Sequence, residues 1–231
     1  MNNPYQRLIA PGSLVALAGY VASGPLGFIT INLLKAQPPW TTPGVFAANY
    51  HIIQDVPYYF GFLLTGGMLM LSAGHYRAYR DDDDTRFRLL VGLGWTIAFF
   101  ALISFNYIAQ TTFVRHMALN YKPEYDSAIA TFSMVNPMSF CWANEIWGYG
   151  LLGVGNWLMA GYYKGKSAAI RGLLIANGIV SVATVALTVA SVHWLMTPLG
   201  IGAYFSWNVL MIVLMLLIYR YARQQAPPQV V

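Results

Sequence analysis

Six long apolar segments follow one another along the chain, and short polar stretches separate them. Each segment has more than about 20 residues, the length that an α-helix needs to cross a membrane core of roughly 30 Å. The segments are residues 10–34, 45–73, 89–114, 137–163, 168–192 and 199–219. This pattern predicts an all-α fold, a polytopic membrane bundle of six transmembrane helices.

The composition agrees with a membrane protein. Of the 231 residues, 57% are hydrophobic and only 9% are charged, which is more apolar surface than a soluble domain of this size can bury. The six segments predict one transmembrane helical domain, residues 1–223, with no room for a domain outside the membrane. Residues 224–231 include two prolines and are predicted to be a disordered C-terminal tail. A single cysteine excludes an intrachain disulfide and a thiolate metal cluster.

The basic residues lie mostly on one side of the predicted membrane. That side carries Arg7, Arg77, Arg80, Arg86, Arg88, Lys164, Lys166, Arg171, Arg220 and Arg223. Only Lys35, Arg115 and Lys122 fall on the other side. Because basic loops stay in the cytoplasm, both termini are predicted to be cytoplasmic, in the inner (plasma) membrane of a bacterium. The net charge of +5 therefore reflects topology, and we expect membrane lipids rather than nucleic acid as surroundings.

Two acidic residues, Asp55 and Glu145, lie inside predicted spans, whereas the other six lie in loops. A carboxylate near the centre of a membrane helix is unfavourable by several kcal/mol, so such groups usually face a cavity or a partner. Arg115 is placed too near the surface to pair with either of them. Asp55 and Glu145 are therefore the candidate catalytic residues.

Further polar residues reach the same depth, roughly 12 to 14 Å below the outer boundary when counted at 1.5 Å per residue. Helical spacing groups His51, Asp55 and Tyr59 on one predicted face, and Pro57 is expected to kink that span. The inner half is almost purely apolar, which disfavours proton-coupled transport. We predict a pocket in the outer half, with His51, Tyr59, Asn106, Gln110, Trp142, Tyr149, Trp207 and Asn208 as candidate ligand-binding residues.

Structural explanations stand beside these functional ones. Asn106, Gln110 and Asn208 would serve equally well as interhelical hydrogen-bonding residues, each worth about 0.6 kcal/mol. Small residues crowd the first and fourth spans, where they let helix backbones approach closely. These are Gly12, Ala16, Gly19 and Ser23, and then Gly148, Gly150, Gly153, Gly155 and Gly161. The pattern favours tight packing within one chain over a dimer motif.

Two carboxyl groups that share a proton in a dry, aromatic-lined pocket suit a general acid paired with a base. The predicted function is binding of a small hydrophobic or amphiphilic molecule, such as an isoprenoid, a sterol-like compound or a lipid. Acid/base isomerisation or cyclisation of that molecule is left open, as is enzyme activity itself. A cationic or hydroxylated amphiphile would suit the pocket equally.

Other functions also stay open at this stage. One is an accessory or scaffold subunit of a membrane complex, as a homo-oligomer or with a partner subunit. Another is an enzyme with a zinc or iron site, for which His51, Asp55, Glu145 and His193 are the available ligands, although no HxxxH or HExxH pair is present. No metal ligand is therefore assigned, and the cofactor, haem included, is unknown.

A sequence motif in the third and fourth predicted spans resembles one in a broad group of uncharacterised bacterial six-helix membrane proteins. The pattern is Asn-Tyr-x-x-Gln at residues 106–110, then Asn136-Pro137, then Glu-x-x-Gly-Tyr at residues 145–149. The resemblance implies the same six-helix topology and points to Asn106, Gln110, Glu145 and Tyr149. It implies no established activity.

Overall fold

The computed structural model describes residues 6–225, and these residues form ten α-helices and no β-strand. The helices are α1 Gln6–Ser23, α2 Pro25–Lys35, α3 Pro43–Asn49, α4 Val56–Ala78, α5 Asp83–Ile108, α6 Arg115–Leu119, α7 Asp126–Phe132, α8 Phe140–Met159, α9 Ala168–Ala190 and α10 Pro198–Gln224. A π-helical segment, Ala109–Val114, joins α5 to α6 without a break. The all-α prediction is confirmed. The predicted disordered tail lies outside the described residues, except that α10 continues to Gln224.

Six of these helices pack as a ring. Going around it, α1 lies next to α4, α4 next to α5, α5 next to α8, α8 next to α9, and α9 next to α10, which returns to α1. Helices that follow each other closely in sequence are neighbours because short connections keep them together. The ring leaves space along its axis, and the functional side chains project into that space.

Five helical segments of the described chain are long and apolar enough to cross a membrane. They are Leu8–Lys35, Ile52–Ala78, Asp83–Leu119, Ala168–Ala190 and Pro198–Gln224. The sixth long helix of the ring, α8, is not one of them, because Asn144, Glu145 and Asn156 interrupt its apolar residues. Composition and length therefore support five spans, and α8 needs a separate argument.

The second predicted span is not one continuous helix. The short helix α3 ends at Asn49, a 3₁₀ turn covers Ile52–Asp55, and α4 begins only at Val56. Pro57 lies in the first turn of α4, where its missing N–H costs no helical hydrogen bond, so the predicted kink is wrong. The predicted helical face of His51, Asp55 and Tyr59 is wrong for the same reason.

The first predicted span is also interrupted, between α1 and α2. Pro25 begins α2 and has no N–H to donate to the preceding turn, so the helix breaks at Gly24. The last two spans agree with prediction to within a few residues, apart from the extra residues at the end of α10.

The two ends of the ring differ in the residues that they carry. One end, which we call the basic end, holds the Tyr79–Asp82 turn, where the Lys166 ammonium lies 3.4 Å from an Asp81 carboxylate oxygen. The opposite end is capped by α3, α6 and α7, which share a small apolar cluster around Phe46, Met117 and Ile129.

The half near the basic end is less apolar than predicted. His75 is fully buried there, with Nδ1 2.7 Å from the Leu71 carbonyl oxygen and Nε2 2.7 Å from the Tyr163 hydroxyl. Because a carbonyl can only accept, Nδ1 carries the proton and Nε2 accepts from Tyr163. Asn156 donates to Asn177 nearby, at 2.7 Å. The His75–Tyr163 and Asn156–Asn177 hydrogen bonds therefore join neighbouring segments of the bundle.

Candidate functional site

A cavity of about 520 Å³ lies inside the ring, in the half away from the basic end. All six ring helices contribute to its wall, which we call the main cavity. Aromatic side chains make up much of the lining, namely those of Tyr20, Tyr58, Tyr107, Trp142, Tyr149 and Trp207. The volume lies within the roughly 300 to 1,000 Å³ that is usual for small-molecule sites.

The aromatic side chains of the lining contact one another. The Trp207 ring packs edge-to-face with Tyr20 on one side, at 5.6 Å between ring centres, and with Tyr149 on the other, at 5.1 Å. Tyr58 and Tyr107 pack together at 5.6 Å. Such pairs stabilise each other by about 0.5 to 1.5 kcal/mol beyond the area that they bury. The wall is therefore held in shape by rings from α1, α4, α5, α8 and α10.

Glu145 is the only acidic residue that lines the main cavity within the described chain. Asn106 donates to its Oε2 at 3.0 Å, and the Tyr107 hydroxyl donates to its Oε1 at 3.2 Å. Asn106 is itself held in place, because it also donates to the Cys141 carbonyl at 2.9 Å and accepts from Asn144 at 2.9 Å. Two neutral donors from α5 therefore orient the carboxyl group of α8.

Three polar atoms of the lining have no hydrogen-bond partner within the described residues. They are the hydroxyl of Tyr20, the hydroxyl of Ser181 and the indole N–H of Trp142. A buried polar group without a partner is unfavourable by about 1 to 3 kcal/mol, and native proteins contain few of them. All three atoms are themselves buried in the side-chain packing of the wall, so they do not face the open space of the cavity.

Asp55 lies at a different place. It faces a separate cavity of about 120 Å³, which we call the side cavity, and it is not part of the main-cavity lining. The Tyr50 hydroxyl oxygen lies 2.6 and 2.7 Å from the two carboxylate oxygens, and an Arg115 nitrogen lies 3.9 Å from one of them. The prediction that Arg115 is too near the surface to pair with a carboxylate is wrong. The pair ties the start of α4 to α6.

The predicted polar layer therefore divides into two sites. Five of the predicted residues line the main cavity, namely Glu145, Trp142, Tyr149, Trp207 and Asn208. Asn106 lies behind Glu145 and orients it. Gln110 lies with Asp55 at the side cavity, where its amide binds the backbone of Phe132 and Met134.

The remaining two predicted residues, His51 and Tyr59, are exposed. His51 caps the 3₁₀ turn by accepting from the N–H of Ile53, and the Tyr59 hydroxyl accepts from Arg115 at 3.3 Å.

Some residues of the main cavity were not foreseen. Tyr20 and Ser181 looked like ordinary residues of apolar spans, although Ser181 and Thr184 stand three apart and so share one face of α9. Tyr58 is likewise absent from the predicted ligand-binding residues. A weak signal was present for Tyr58 and Ser181, because each lies in the outer half of its predicted span, as Glu145 does.

The metal-site alternative has no support from the geometry. No group of three or more His, Cys, Asp or Glu residues in the part of the chain that the structure describes could hold a metal ion. His193 is exposed in the 3₁₀ turn Val192–Met196, and Asp55 and Glu145 face different cavities.

Comparisons with protein-family models, curated proteins and solved structures find no match to this chain. The resemblance to the six-helix bacterial group therefore stays a prediction. What the arrangement can do follows from its chemistry: an apolar, aromatic cavity with one oriented carboxyl group can hold a mostly apolar molecule that carries a polar group.

Proposed function

We propose that this membrane protein binds a small hydrophobic or amphiphilic molecule, such as an isoprenoid, a sterol-like compound or a lipid, in the main cavity. The observation that carries the proposal is the cavity of about 520 Å³ with its aromatic wall and single carboxyl group. Small-molecule sites typically combine a largely apolar lining with a few polar groups that orient the ligand.

The composition of the cavity wall favours entry from the lipid. Phe28, Tyr204 and Phe205 line the cavity and are also 43 to 55% exposed on the outside of the bundle. The Phe28 and Phe205 rings meet edge-to-face at 6.2 Å between centres, so side chains alone close the wall there. In a membrane-spanning bundle this outer surface faces lipid. A ligand dissolved in the bilayer could therefore enter when these rings change rotamer.

The proposal extends to acid/base conversion, with Glu145 as the acid. Its carboxyl proton would transfer to one carbon of a ligand double bond, whose π electrons form the new C–H bond and leave a carbocation. A neighbouring C–H bond would then return a proton to the carboxylate, and its electron pair would form the shifted double bond. Tyr107 and Asn106 would stabilise the carboxylate between the two steps, and the aromatic wall would stabilise the cation.

Mass spectrometry of co-purifying molecules tests the binding proposal. Ala203 lines the main cavity, so Ala203→Phe should fill part of it and lower the amount of bound molecule at least fivefold. The matched control is Gly202→Phe, because a Cβ added at Gly202 meets no atom within 4 Å. If the wild type and both variants carry the same bulk phospholipids, binding in the cavity is refuted and the scaffold function gains support.

We further propose that α8 is a sixth membrane span and that both termini are cytoplasmic. At 20 residues and 1.5 Å per residue, α8 is about 30 Å long, enough to cross the membrane core. It packs between α5 and α9, which are both apolar enough to span, and its acidic residue turns toward the cavity rather than the lipid. The basic end would lie in the cytoplasm of a bacterial cell.

Labelling of single cysteines with a membrane-impermeant maleimide tests this topology. In a Cys141→Ala background, we expect Lys122→Cys to be labelled on intact cells and Lys164→Cys to be labelled only after the membrane is opened. Both positions are exposed and they flank α8. Equal labelling of the two on intact cells would show that α8 does not cross the membrane, and the reverse pattern would show the opposite orientation.

A further inference from the structure

We propose that the ligand of the main cavity carries a protonated amine that binds against Glu145. The inference rests on the binding part of the proposed function, and it narrows the ligand class to an amphiphilic organic cation. A Glu145 carboxylate that is paired with an ammonium has no proton to donate, so a ligand of this class would be bound and not isomerised. It follows from a comparison of the two intramembrane carboxyl groups and from the aromatic lining.

The two carboxyl groups, those of Asp55 and Glu145, have different neighbours. Asp55, at the side cavity, has Arg115 beside it, at 3.9 Å from the nearest carboxylate oxygen. Glu145 receives only the neutral Asn106 amide and the Tyr107 hydroxyl, and no Lys, Arg or His of the described residues forms an ion pair with it. A carboxylate in an apolar environment is favourable only with a compensating charge nearby. The protein supplies that charge for Asp55, and we infer that the ligand supplies it for Glu145.

The surroundings of Glu145 suit an organic cation. Tyr107 and Tyr149 lie next to it, with 3.4 Å between their hydroxyl oxygens, and Trp207 packs against Tyr149. Aromatic rings attract ammonium groups, most strongly where water is excluded. A carboxylate beside several aromatic rings is the combination that binds such groups, whereas a neutral alcohol gains little from it.

The rest of the lining suits the hydrocarbon part of such a ligand. Leu64, Ile146 and Ile201 contribute apolar side chains to the wall of the main cavity. An amphiphilic amine would therefore place its ammonium against Glu145 and its hydrocarbon body against these residues.

Binding of two probes of equal chain length tests the inference. The full chain in phosphatidylcholine nanodiscs would be titrated with dodecylamine and with 1-dodecanol, using empty nanodiscs to subtract partitioning into lipid. We expect saturable binding of both, with dodecylamine bound at least about tenfold more tightly. In Glu145→Gln, the dodecylamine affinity should fall about tenfold while the dodecanol affinity stays unchanged.

The control makes the same chemical change at an exposed position. Glu124→Gln removes an acidic group of the loop before α7 and should leave both affinities as in the wild type. Unchanged dodecanol binding also shows that Glu145→Gln is folded. The amide oxygen of the new side chain can accept from Asn106, and its N–H can donate to the Tyr107 hydroxyl oxygen. If Glu145→Gln itself does not fold, the comparison of the two probes in the wild type still tests whether the cavity prefers a cationic ligand.

The possible failures are distinguishable. Equal affinities for the two probes in the wild type, or an equal loss of both in Glu145→Gln, would overturn the cationic ligand while leaving the cavity as a binding site. Absence of saturable binding for either probe, or binding that Ala203→Phe does not weaken, would refute the proposed function together with this inference.

Discussion

Gly67→Ala should destabilise the protein by about 2 to 3 kcal/mol, a large effect for the addition of one methyl group. Gly67 lies where α4 crosses α1, and a Cβ built on it would come closer than 3.0 Å to the backbone nitrogen of Ala16. Gly12 meets the backbone of Leu71 in the same way, at 2.8 Å. Because backbone atoms cannot move aside as a side chain can, the two helices must separate and lose packing along their whole contact.

The measurement is unfolding in a titration with sodium dodecyl sulfate, followed by circular dichroism. The neighbouring Gly66 provides the control, because a Cβ there meets no atom within 4 Å. Gly66→Ala should be neutral or stabilising by up to about 1 kcal/mol, since alanine is the better helix former. Equal stability of the two variants would show that α1 and α4 do not approach as closely as described.

Asn106→Leu should destabilise the protein by about 2 kcal/mol and also disturb ligand binding. Asn106 is fully buried and makes three contacts with α8, to the Cys141 carbonyl, to Glu145 and to Asn144. Hydrogen bonds between membrane helices average about 0.6 kcal/mol each, which gives about 2 kcal/mol for three. Leucine has the same number and branching of side-chain heavy atoms, so the change leaves no cavity and the loss reflects the missing hydrogen bonds. Glu145 would also lose one of the two donors that orient it.

The same unfolding titration applies, together with the dodecylamine affinity of the variant. Asn32→Leu is the matched control, because Asn32 is exposed on α2 and its amide bonds only to the Phe28 carbonyl of the same helix. We expect no loss of stability there. A wild-type stability for Asn106→Leu would contradict the interhelical role assigned to Asn106.

Small residues in the first and fourth spans were correctly interpreted as packing within one chain. Gly12, Gly19 and Gly67 lie between α1 and α4, and Gly153 and Gly155 of α8 face α9 and α5. The spacing of glycines along one face of a helix predicts that another helix packs closely against that face. It does not say which helix approaches, and the pairing of α1 with α4 came from the fold.

The candidate site was predicted in part. Glu145, Tyr149 and Trp142 stand on one face of one helix, so their common place in a cavity could be anticipated from spacing. Asp55 could not be placed, because its span begins with a short helix and a turn rather than with a continuous helix. The depth of Asp55 was estimated by counting along one continuous helix, and the structure has no continuous helix there. Its partner Arg115 is 60 positions away in the sequence and comes near only through α6.

By itself, the sequence determined that the chain is all-helical, where most of its long apolar helices lie, and that a carboxyl group sits among aromatic residues within one of them. These properties depend on local composition and on the 3.6-residue period, which a single sequence contains. Only the tertiary structure decided that Asp55 and Glu145 face separate cavities, that one has an arginine and the other does not, and that Tyr20 and Ser181 join the lining. Contacts between helices depend on which faces meet, and the periodicity of each helix taken alone carries no information about its neighbours.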